Sequence, residues 1–369
     1  MRGVAIIFVC LHNLFHIVYT KIKECEFSFY PGRVEKALSF SSETPWEIFA
    51  HVINYWGWYI VTTFFFLSGY GLVMKYEKKG IPLKWMNYCC RNYVKLLVLM
   101  FIPWALCFRN LFKLTALLQL TYIINFIKPL NIIPGVFWYF SVAFQLYLLY
   151  MFFHHHRSNK WLLWISLAMI AMMAVFSIMP PSMLKIRVFE GFLLQPYIVG
   201  HNFPYWLPVF LLGVWFARGG NESIFMRMVE RHRLLAILIF FVLWVVAAVT
   251  RVLWALAPIL AILLLIAIFH EHKSQKELPK PLALISRGVG NVFAWLGVLS
   301  PGIFVWHPVV RMYYAASVDG STADAYKTGN HVLVTIIYLA ISILLAVIFL
   351  PLYKKVLQKV LAWLKLDKA

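Results

Sequence analysis

Acidic side chains are rare in this sequence, with 14 Asp and Glu among 369 residues, and charge of either sign accounts for only 13% of the chain. An ordinary soluble domain carries roughly 25% charged residues, so there are too few polar side chains here to cover a water-facing surface. Cysteine is scarce as well. Cys10, Cys25, Cys89, Cys90 and Cys107 are odd in number and show no C-x-x-C spacing, so neither a disulfide framework nor a metal site is expected. No internal repeat, low-complexity tract or second globular domain is apparent.

What fills the chain is apolar: 62% of residues are hydrophobic and the mean hydropathy is +0.77. Windows near 4–20, 50–74, 94–108, 136–153, 161–179, 204–217, 234–250, 252–270, 291–313 and 332–353 approach the ~20 residues that a helix needs to cross a bilayer. They predict an all-α, polytopic transmembrane bundle of about ten helices. The first window lacks a small-residue cleavage site at Tyr19-Thr20-Lys21-Ile22-Lys23 and is read as a retained helix, not a signal peptide.

The formal net charge is +20, which raises the question of nucleic acid. The Lys and Arg residues, however, sit in short clusters between apolar runs, as basic groups at a cytosolic membrane surface do, and no nucleic-acid partner is expected. With both termini placed in the cytosol, 22 of the 34 basic residues fall in inner segments, the bias the positive-inside rule requires. Trp46, Trp85, Trp161, Trp206 and Trp363 lie near predicted helix ends as interfacial anchors. Residues 354–369 form a basic amphipathic tail expected on the inner leaflet, after a membrane domain spanning 1–353.

Ionisable groups inside a membrane are costly and mark functional sites by default. The first helix holds His12, Asn13 and His16, with the two histidines four apart and so on one helix face. At 1.5 Å per residue, His12 lies about 15 Å from Arg2, near the middle of the hydrocarbon core. A buried neutral imidazole there is a candidate general base. The bland reading of these polar groups is interhelical hydrogen bonding. His307 and Arg311, also four apart, form a second cluster, placed near the outer end of the ninth window where an interfacial role is as good an account. Ser68 in the small-residue run Ser68-Gly69-Tyr70-Gly71, Gln145 in helix four, and Arg91 with Lys95 on the inner loop are further candidates. His154-His155-His156 resembles a metal tract but reads better as a solvated helix end, and Glu190 and His201 read as exposed loop residues.

Taken together in order, these segments resemble the acyltransferase-3 family of membrane acyltransferases. The resemblance is carried by Arg2-Gly3-x-Ala5 leading to His12, Phe65-Phe66-Leu67-Ser68-Gly69-Tyr70, the basic stretch around Arg91, Phe137-Trp138-Tyr139 with Gln145 and Tyr147, Phe210 to Arg218, and Phe304-x-Trp306-His307-Pro308. It implies transfer of an acyl group, usually acetyl from acetyl-CoA, to a hydroxyl of a surface polysaccharide, lipopolysaccharide or glycan precursor, with acyl-CoA, a carbohydrate or glycolipid acceptor and the lipid bilayer as partners. It also implies a catalytic first-helix histidine, matched best by His12, a donor-receiving Arg2, and an inner basic pair at Arg91 and Lys95. The expected location is the bacterial inner (plasma) membrane. Two departures stand out. Lys95 occupies a position where arginine is expected, and lysine lacks the bidentate fork for phosphate. Arg2 and His12 are ten apart instead of eleven; at 100° per residue Arg2 falls about 80° from His12 but about 40° from His16. His16 therefore stays in play as the base. The alternative class is a glycan or lipid transporter in which the same histidines and Arg311 line a path without chemistry.

Overall fold

The computed structural model describes residues 1–18, 24–39, 45–107, 114–126, 137–156, 158–179, 186–189, 192–194, 199–270, 280–317 and 331–366. Its helices are α1 (Arg2–Val18), α2 (Pro31–Leu38), α3 (Pro45–Trp56), α4 (Thr62–Val73), α5 (Trp85–Cys107), α6 (Leu114–Leu120), α7 (Trp138–His155) and α8 (Asn159–Ile178). These are followed by α9 (Phe203–Ala217), α10 (Ile224–Arg231), α11 (Arg233–Val249), α12 (Ala257–Phe269), α13 (Lys280–Ser317) and α14 (His331–Trp363). One antiparallel hairpin, β1 (Ile186–Phe189) with β2 (Phe192–Leu194), interrupts an otherwise helical chain.

Five segments among the described residues are long and apolar enough to cross a membrane: Pro45–Lys78, Trp85–Cys107, Asn159–Ile178, Gly288–Tyr313 and Val332–Trp363. The pair Ile224–Arg231 and Arg233–Val249, bent by 119°, makes a sixth if counted as one span, and Arg2–His16, Phe203–Ala217 and Leu253–Phe269 are shorter apolar helices. Three expectations change. Arg91 and Lys95 lie inside α5, which starts nine residues before the apolar window because an amphipathic turn continues the helix beyond it. The last helix runs unbroken through Pro351 to Trp363, so residues 354–363 extend α14. Trp85, Trp161 and Trp363 are exposed as anchors should be, whereas Trp206 is fully buried and donates its indole N–H to the Gly200 carbonyl at 3.0 Å.

Two close helix pairs organise the interior. The Cβ that Gly69 lacks would sit 2.2 Å from the Phe210 carbonyl oxygen, and that of Gly213 2.0 Å from the Phe66 carbonyl oxygen, so α4 and α9 touch backbone to backbone in both directions. Small residues permit such approach where dispersion and not hydrophobicity drives helix association. Gly3 does the same for α1 against α13, where a Cβ would come within 1.9 Å of the Phe293 carbonyl oxygen. At the end of α4, a π turn over Met74–Lys78 presents Glu77 to Arg218 in a forked pair, with Nη2–Oε1 at 2.7 Å and Nε–Oε2 at 2.9 Å. Arg218 also donates to the Phe153 carbonyl, and the Tyr150 hydroxyl to Glu77. The ends of α4, α7 and α9 are thereby tied together.

These backbone contacts set a test. Gly69→Ala and Gly213→Ala are each expected to destabilise the fold by about 1–3 kcal/mol, the usual cost of overpacking, and to lower the unfolding midpoint in detergent. Gly71→Ala, whose Cβ meets nothing within 4 Å, should leave the midpoint unchanged.

Candidate active site

The C-terminal half of α1 carries a group of polar side chains. His12 is 6% exposed, and its Nδ1 lies 3.3 Å from the Ile53 carbonyl oxygen at the end of α3. A carbonyl can only accept, so Nδ1 holds the proton and Nε2 presents a lone pair. Gly57 lies against the ring; its missing Cβ would be 3.2 Å from the His12 Cβ. One turn further, the His16 ring centroid is 6.0 Å from that of His12, and its Nδ1 is 3.1 Å from Glu24 Oε2. Asn13 points elsewhere. Its amide donates back to the Val9 carbonyl at 2.9 Å, while its side-chain and main-chain oxygens both accept from Arg311 Nη1 at 3.0 Å. Arg311 thus joins the first-helix cluster, and Asn13 acts as its anchor.

Glu24 and Glu26 were not singled out in the sequence. Both follow α1 in the segment leading to α2, and Arg33 pins this segment by donating to the Glu24 carbonyl at 2.6 Å. Burial alone would raise the Glu24 carboxyl, but the hydrogen bond from His16 reverses that and holds it well below the usual carboxylate range. Glu26 goes the other way: burial and the nearby Glu24 push its carboxyl well up. The signal that could have pointed to Glu24 is its closeness in sequence to His16 in a chain with so few acids.

A second group lies at the other end of α1. A cavity of about 280 Å³ is lined by Arg2, Ser68, Lys95, Tyr139, Tyr147 and Phe304, among others. Ser68, Tyr139 and Tyr147 supply hydroxyl groups to the cavity lining. Lys95 lies within electrostatic range of Lys75, Arg91 and Arg2, so the cavity mouth concentrates positive charge. Arg91 does not line the cavity itself. Lys75, on the π turn, was not selected in the sequence; it bonds the Tyr76 hydroxyl at 3.0 Å. π turns recur at functional positions.

His307 lies in α13. It is fully buried there, with Ile303 and Phe304 beside it, and the helix continues past it to Ser317. Its Nδ1 is 3.2 Å from the Ile303 carbonyl, its Nε2 has no partner, and its ring lies 5.7 Å from that of Phe304, which lines the cavity. Gln145 belongs to neither group: its Nε2 donates to Asn202 Oδ1 at 2.8 Å and its Oε1 accepts from the Phe203 N–H at 2.9 Å, capping α9. His201 is also buried, stacked on Phe27 at 3.5 Å. Its enclosure by non-local partners, the Phe27 and Trp138 rings, overrides the loop-exposure expectation. His154 sits 3.9 Å from Glu77, and Glu190 lies outside the described residues.

Comparison with known families decides the class: the family model for the acyltransferase domain of the acyltransferase-3 group matches residues 1–351. The chain belongs to the acyltransferase-3 family. No curated protein and no solved structure matches it. Membership makes this an acyltransferase embedded in a membrane. Gly57→Val, which presses a branched side chain onto the His12 ring, is expected to cut acyl transfer at least tenfold, about the scale of a misplaced catalytic group, in protein that still elutes as a monodisperse peak.

Proposed function

We propose that this acyltransferase moves an acetyl group from acetyl-CoA, or another acyl group from its acyl-CoA, to a hydroxyl of a cell-surface polysaccharide, lipopolysaccharide or glycan precursor. In this reading the chain crosses the bacterial inner membrane about ten times with both termini in the cytosol, and the Arg2 end of α1 faces inward. The donor's phosphates rest on Arg2 and Lys95 with Lys75 and Arg91 nearby, since clustered cations compensate a polyanion. Its acyl end passes Ser68 and Phe304 toward the middle of α1.

There His12 Nε2 takes the proton from the acceptor hydroxyl as its oxygen attacks the thioester carbonyl. The C–S bond breaks, and the departing CoA thiolate recovers the proton from the imidazolium. His16 orients the catalytic face and Asn13 holds Arg311, whose charge lies close enough to stabilise the oxyanion. The observation that carries this reading is the Nδ1 contact of His12 with the Ile53 carbonyl, because it fixes the tautomer that leaves Nε2 as a base aimed away from its own support.

Transfer of label from acetyl-CoA in membrane vesicles tests it. His12→Ala is expected to lower the rate by about 10²–10⁴, the span of general base catalysis, while Arg2→Gln should chiefly raise the KM for the donor. Undiminished transfer by His12→Ala would remove it as the base and move that role to His16.

A further inference from the structure

His12, His16 and Glu24 have a geometry that acyl transfer does not require. One ligand atom from each lies within 4.8 Å of the other two. The His16 Nδ1 to Glu24 Oε2 distance of 3.1 Å is near the roughly 3.3 Å edge of a tetrahedron with ~2.0 Å metal–ligand bonds. Two histidines one turn apart on a helix present their rings to one point. The His12 Nδ1–H bound to the Ile53 carbonyl is the arrangement that orients an imidazole ligand and leaves its other nitrogen for a metal. Glu24 is 2% exposed, and its loop is already held by Arg33, so the carboxylate is fixed before any ion arrives. The His16 side chain, 38% exposed, leaves a way in.

We propose that His12, His16 and Glu24 form a binding site for a divalent cation of the zinc class, and that an ion bound there switches the enzyme off. Two imidazoles and one carboxylate suit Zn²⁺ or Co²⁺; Mg²⁺ and Ca²⁺ prefer all-oxygen shells. Three protein ligands leave a fourth position for water. A lone pair on His12 Nε2 that binds a cation is no longer free to accept a proton. The silencing, though not the binding, rests on His12 being the base.

Purified full-length protein titrated with Co²⁺ reads the site directly through the d–d absorption of a tetrahedral nitrogen–oxygen environment. One equivalent is expected to bind and to be displaced by Zn²⁺. Glu24→Gln and His16→Ala, each checked for a monodisperse elution profile, should weaken Co²⁺ at least about tenfold, in line with the loss of a ligand shell member. H154A/H155A/H156A should retain the spectrum. A titration unchanged in both Glu24→Gln and His16→Ala, or a spectrum lost with the 154–156 tract, would overturn the site. In vesicles, Zn²⁺ should inhibit wild-type transfer and a chelator should restore it; transfer insensitive to Zn²⁺ in protein that binds Co²⁺ would overturn the switch. His12→Ala that still transfers acetyl would strike the base assignment alone, and the Co²⁺ titration would still decide the metal site.

Discussion

The contact between α1 and α13 allows no slack at either end. At its start Gly3 admits the Phe293 backbone so closely that a Cβ would meet the carbonyl oxygen at 1.9 Å. Near its C-terminal end Arg311 holds both oxygens of Asn13. A helix held at two points resists sliding and rotation, and this one carries Arg2 into the Lys95 cavity and His12 against the Ile53 carbonyl. Every geometric relation in the site follows from that clamp. The cavity wall contributed by α13, through Phe304, and the buried His307 one turn beyond it are positioned by the same pair of contacts.

An apolar interior makes each polar group answer for itself, because an unsatisfied one costs on the order of 1–3 kcal/mol. Here the polar groups near the C-terminal end of α1 each have a partner: His12 with Ile53, His16 with Glu24, Asn13 with Arg311, Arg33 with the Glu24 carbonyl. The Arg2 end is organised differently. Its cations are crowded around a cavity, and Glu77, just beyond α4, is committed to Arg218 in a fork at 2.7 and 2.9 Å. The C-terminal end of α1 pairs Glu24 with His16 and Arg311 with Asn13, while the Arg2 end gathers cations around the cavity. On the proposed reading, that excess of positive charge is what a polyanionic donor meets there.

Much of this was legible along the chain. The bundle follows from apolar windows, and the family from ordered short motifs. The helical-wheel angle of about 80° between Arg2 and His12 agrees with their pointing to different neighbours, one to the Lys95 cavity and the other to α3. Ser68 and Lys95 were selected and do line one cavity. What local pattern could not supply was the return of the chain after α1. Glu24 reaches His16 only because the segment folds back and Arg33 pins it, and no periodicity encodes such a reversal. Trp206 and His201 were misplaced for the same reason: position near a window's edge says nothing about which neighbours close over it. Gln145 was a candidate on its motif alone, and the motif could not say that the Phe203 N–H at the start of α9 claims its oxygen.

The separation of the two ends then constrains the substrates. About 15 Å of helix lies between Arg2 and His12, and Phe304, which lines the cavity, lies 5.7 Å from the buried His307 ring. On the proposed reading, a donor held by its phosphates at the Arg2 end must extend its thin, amide-bearing arm past Ser68, Tyr139 and Phe304 to deliver its acyl carbon. The proposed acceptor comes from the other direction, by way of the half-exposed His16. On that reading a proton acceptor is needed where the two routes meet, and His12 is the residue proposed for it.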